Sequence, residues 1–115
     1  MRSLSIQIQP DRSPGIDMDK VRVVFEGIAA MRDLVEHHSF DGGEQNGPYF
    51  NFTFGTPDAL GLWRVIEACV YGSEEIGPHM RKASMAMCSS PSGWNDYLIL
   101  FHFDPAVPRD STSRL

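Results

Sequence analysis

The stretch PYFNFTFGTPD, Pro48 to Asp58, decides the fold. Phe50, Phe52 and Phe54 alternate strictly with Tyr49, Asn51 and Thr53. A period of two is the mark of a half-buried strand, because successive side chains leave opposite faces of a sheet. The phenylalanine side is core. The other side is neither apolar nor ionic. Directly after it, Thr56-Pro57-Asp58 reads as a helix start, with a hydroxyl cap, proline at the first helical position and an acid at the positive end of the dipole.

Working outward, that helix presents Ala59, Leu62, Trp63, Ile66, Cys69 and Val70, and Gly72 fits its C-terminal cap. Upstream, Ser39–Pro48 (SFDGGEQNGP) reads as a polar, glycine-rich loop. An earlier helix starts at the Asp17 cap and is expected to run to about His37. Its buried stripe is Val21, Val24, Phe25, Ile28, Met31 and Val35. A second apolar line, Val23, Gly27, Ala30 and Leu34, is expected to pack sideways on the other helix. Ser3–Gln9 (SLSIQIQ) alternates as a strand, with Leu4, Ile6 and Ile8 on one side and Ser5, Gln7 and Gln9 on the other. Downstream, Ser73–Arg81 reads as a turn or short helical piece. Ala83–Ser90 and Asp96–Phe103 read as a closing hairpin around PSGWN.

The predicted order is β-α-β-α-β-β, an α+β two-layer sandwich with a four-stranded mixed sheet and two helices on one face. The alternative is a ferredoxin-like β-α-β-β-α-β order. That order needs an extra strand near His37–Asp41 and demotes the small-residue strand to coil. Residues 1–104 form a single domain, and residues 105–115, broken by prolines, read as a flexible tail.

A chain of 115 residues with 42% hydrophobic and 22% charged content can bury a core without staples. Its formal charge of −5 argues against nucleic acid and against an anionic membrane surface, since both demand clustered Lys and Arg. Two cysteines do not make a disulfide framework, and the alternating start is no signal peptide, so a cytoplasmic location is expected.

The predicted open face of the sheet carries Ser5, Gln7, Asn51, Thr53, Leu98, Leu100 and His102. Solvated sheet faces usually carry charge, whereas charges are depleted from interface cores. This points to a face covered in a homodimer or by a protein partner, as in a small non-enzymatic binding module, for example of the inhibitor or immunity type. The competing reading is a small enzyme or small-molecule binder built on His102. Asp104 would orient the imidazole, and Cys88 on the neighbouring strand or Tyr97 would lie near the cleft. No residue spacing marks a metal site, and no cofactor is implied: His37 and His38 are adjacent and cannot share a helix face.

Overall fold

A computed structural model describes all of residues Met1–Leu115. The strands are β1 (Arg2–Ile8), β2 (His37–Glu44), β3 (Pro48–Thr56), β4 (Ser84–Ser90) and β5 (Gly93–His102). The helices are α1 (Met18–Ala29), α2 (Ala59–Ile66) and α3 (Gly77–Ala83), and α2 runs on into a π-helical turn over Glu67–Tyr71. The class is α+β, as the alternation implies. The sheet has five strands in the order β2-β3-β1-β4-β5. Every pairing is antiparallel, so the expected mixed sheet is corrected. The extra strand near His37 is present, as the alternative order requires. The small-residue strand is also present, as β4 beside β1, and β5 adds an outer strand.

The core lies between the helices and one sheet face. Leu4, Ile6, Ile8, Phe52 and Phe54 are buried there with Val21, Phe25 and Ile28 of α1 and Leu62, Trp63 and Ile66 of α2. Phe25 stacks on Phe52 with ring centroids 4.4 Å apart. Tyr71, at the end of the π turn, meets Phe101 at 4.5 Å. Such pairs add specific geometry to the area they bury.

Several local expectations change. α1 ends at Ala29, well before His37. Beyond a turn that buries Val35, the chain becomes β2, which brings Phe40 edge-on to Phe52 at 4.8 Å. A helix continued to His37 would have left that side of Phe52 uncovered. The β2–β3 hairpin closes through Asn46 (φ 58°) and Gly47 (φ 110°), the left-handed conformations that Asn and Gly tolerate best. The cap of α2 is Asp58, whose carboxylate accepts from the Gly61 N–H at 2.9 Å. Thr56 is buried at the end of β3, and its hydroxyl accepts from the Asp58 N–H. The line Val23, Gly27 and Ala30 faces outward, not toward α2. Val23 is 67% exposed, and nothing lies within 4 Å of a Cβ placed on Gly27.

The largest correction concerns β5. Met87 pairs with Ile99 and Ala86 with Phe101, so Leu100 is an extra residue in a β-bulge. The bulge resets the alternation. Leu98 (2% exposed) and Leu100 (5%) are buried and do not belong to the open face, whereas Ile99 is half-exposed opposite Met87. A second irregularity sets Trp94–Tyr97 against Ser89 alone, which leaves Trp94 (44%) and Tyr97 (47%) exposed. Asp110 lies against the outer edge of β5, and the chain then runs to the start of β1, where the Arg114 carbonyl accepts from Arg2 Nη1. The Asp110 N–H donates to the Ile99 carbonyl at 2.8 Å, the Ile99 N–H donates to Asp110 Oδ2 at 2.7 Å, and Leu115 packs on the core.

Candidate binding face

The sheet face turned away from the helices is built by register. Ser5 and Gln7 of β1 stand between Thr53 and Asn51 of β3 and Met87 and Met85 of β4. Beyond them lie Ser39 and Asp41 of β2, and Ile99 and His102 of β5. Apart from Ser39 and Asp41, all of these are half-buried in the isolated chain. Ser5, Gln7, Asn51, Thr53 and His102 therefore share one face as expected. Met85, Met87 and Ile99 replace Leu98 and Leu100 as its apolar members. The alternation of Met with Ala and Cys in β4 was visible in sequence. Either set could have faced inward, so the phase was not.

The polar half is linked by its own hydrogen bonds. The Ser5 and Thr53 hydroxyls lie 2.9 Å apart. Arg12 Nε donates to Gln9 Oε1 at 2.6 Å, and Gln9 Nε2 donates to Gln7 Oε1 at 3.0 Å. Gln7 Nε2 donates to Asn51 Oδ1 at 3.2 Å, and Asn51 Nδ2 donates to Asp41 Oδ1 at 3.0 Å. Three amides thus point the same way between a cation and an anion, an arrangement in which each bond polarises the next. Asp41, on the edge strand, is the face's one carboxylate, and no Lys, Arg or Glu occupies a paired position on it. Glycines on this face are covered from across the strand. A Cβ on Gly55 would overlap the His37 imidazole, and one on Gly43 would meet the Tyr49 hydroxyl at 2.6 Å.

The residues of the enzymatic reading are not brought together. His102 Nδ1 accepts from the Asp104 N–H at 3.0 Å, and its ring lies against Phe103. The Asp104 carboxylate accepts from the Ala106 N–H at 2.9 Å, so it caps a turn and does not orient the imidazole. Cys88 is fully buried and pairs with Leu98 on the helix side, so it lies on the opposite face from His102. Burial pushes its thiol up, which disfavours the nucleophilic thiolate. The other thiol, Cys69, is exposed on the π turn. No group of three or more His, Cys, Asp or Glu side chains is placed to hold a metal ion. No helix is long and apolar enough to cross a membrane. No family model, curated protein or solved structure matches the chain.

Proposed function

We propose that this chain is a non-enzymatic binding module that docks through its open sheet face, and that the docking surface is met by a second copy of the chain, back to back. The observation that carries this reading is the neutral, internally hydrogen-bonded array of Ser5, Gln7, Asn51 and Thr53 beside Met85, Met87 and Ile99. Amides and hydroxyls partly paired in the plane of the sheet lose less when water leaves than ions do, and their free N–H groups can bond across the partner. The chain carries a formal charge of −5, so two copies repel except where a surface is almost free of acids. Five strands about 4.8 Å apart and seven residues at about 3.3 Å give a plane of ~550 Å². With side-chain relief this approaches the ~800 Å² per partner of a standard interface.

The test is mass in solution. The parent is expected to sediment as a dimer at micromolar concentration. Asn51→Lys places two ammonium groups in the covered plane and breaks the amide chain, so it should give a monomer with a near-parental melting temperature. A parent that stays monomeric up to about millimolar concentration, the weakest affinity worth calling specific here, overturns self-association.

A further inference from the structure

We propose that the cleft at the Gln9 end of this face is a binding site for a carboxylate flanked by hydrogen-bonding groups. The cleft has a volume of about 390 Å³, within the range of small-ligand sites. It is lined by Gln7, Gln9, Arg12, Gln45, Asn46 and Asn51, with Tyr49 beside them. Arg12 is the only charged residue of the lining. Asp41 terminates the amide chain at its far end, and Asp11 lies beside Gly47, but both stand outside the lining.

Arg12 is held without being neutralised. Its guanidinium carbon lies 3.8 Å from the centroid of the Phe103 ring, and its Nε is bound to Gln9. Its two terminal nitrogens make no hydrogen bond within the protein, and it belongs to neither of the chain's ion pairs. Stacking and the Nε bond fix the plane of the fork and leave its outer donors free, the geometry that a carboxylate matches with two parallel bonds. The side chains of Gln45 and Asn46 and the Tyr49 hydroxyl also lack partners within the protein. The oriented relay leaves each of Gln7, Gln9 and Asn51 with one unused amide N–H. A ligand with hydroxyl or amide groups beside its carboxylate engages both sets. A neutral ligand leaves the cation unpaired.

This inference goes beyond the docking reading. Dimerisation is read by mass and the cleft by spectroscopy, so either can fail alone. The experiment is a ¹⁵N-detected titration that follows the side-chain NH₂ groups of Gln7, Gln9, Gln45, Asn46 and Asn51 and the Arg12 Nε–H. The probes are D-galacturonate, N-acetylglycine and the neutral control D-galactose. The acids are expected to shift these resonances with millimolar affinity, and Arg12→Gln to weaken binding at least about tenfold. Arg12→Lys keeps the charge without the fork and is expected to fall between the two. Tighter binding of galacturonate identifies a hydroxylated acid as the ligand type, and tighter binding of N-acetylglycine a peptide chain end; both support the carboxylate assignment. Galactose binding as well as galacturonate, silence with both acids, or unchanged affinity in Arg12→Gln overturns it.

Discussion

At the scale of single residues, a buried hydroxyl chain joins the end of the π turn after α2 to the start of β4. Ser84 Oγ donates its only proton to the Met80 carbonyl at 2.7 Å, so in the 2.7 Å contact between the Tyr71 and Ser84 hydroxyls Tyr71 must be the donor. That role requires a protonated phenol. Burial pushes the Tyr71 pKa well above its ordinary value, with the Ser84 contact and the charge of Arg109 opposing more weakly. The sign follows from linkage. Below about pH 10 both folded and unfolded tyrosine are neutral and the contribution is intact. Above it the unfolded chain releases a proton that the folded chain keeps, so stability falls as pH rises. Tyr71→Phe is therefore expected to cost about 1 kcal/mol at neutral pH for the lost hydrogen bond. The gap to the parent should narrow steadily above about pH 10, where only the parent carries the penalty. Urea denaturation of both proteins from neutral to strongly alkaline pH checks this; a constant gap would show that Tyr71 ionises as easily folded as unfolded.

At the scale of elements, β1 and β3 were legible because their alternation is clean, and the start of α1 because the Asp17 carboxylate does accept from the Asp19 and Lys20 N–H groups. β2 was not legible. In HHSFDGGE, Phe40 is the one large apolar side chain, and the strand is held by its pairing with β3, which no local pattern reports. One signal was available. Asn46-Gly47 ahead of an alternating run is a strong short-range sign of a hairpin, and its hydrophilic surroundings hid it. The hairpin's dependence on that turn is testable. Gly47→Ala forces a side chain onto φ 110° and brings its Cβ within 3.3 Å of Asp11 Oδ2. A loss of about 1–3 kcal/mol is expected, measured by chemical denaturation, with the β2 amides exchanging faster than those of β1. The phase of β5 was hidden for a different reason. Leu98, Ile99, Leu100 and Phe101 are all apolar, so alternation could not show which of them face the helices, and the bulge at Leu100 decides it.

At the scale of the whole molecule, the sheet has two edges treated differently. β2 ends the sheet on one side with nothing paired beyond it. β5 ends the other and is covered by the chain's own last residues through Asp110 and Ile99. The open face could be read in part from sequence because Ser5, Gln7, Asn51 and Thr53 sit on the two cleanly alternating strands. The covering of β5 could not, since it joins a strand to a proline-broken segment by one backbone bond and one bond to the Asp110 carboxylate, neither of which leaves a periodic sequence pattern. An uncovered edge is a template for pairing with another chain, so a cover on one edge lowers the number of ways the molecule can pair wrongly. Deleting residues 107–115 removes both Asp110–Ile99 bonds, the packing of Leu115 and the bond from Arg2 Nη1 to the Arg114 carbonyl. The two Asp110–Ile99 bonds and one partly buried leucine correspond to about 2–3 kcal/mol, and the exposed Arg2–Arg114 bond adds little. The truncated chain is expected to lose that much stability, to exchange the Ile99 amide rapidly and to aggregate on mild heating. Asp110→Ala separates the contributions: it removes the acceptor of the Ile99 N–H and leaves the Asp110 backbone donor in place, so Ile99 should exchange faster with little aggregation. An Ile99 amide that exchanges equally fast in the parent and in both variants would mean that the last residues leave the strand in solution and behave as the free tail their composition suggests.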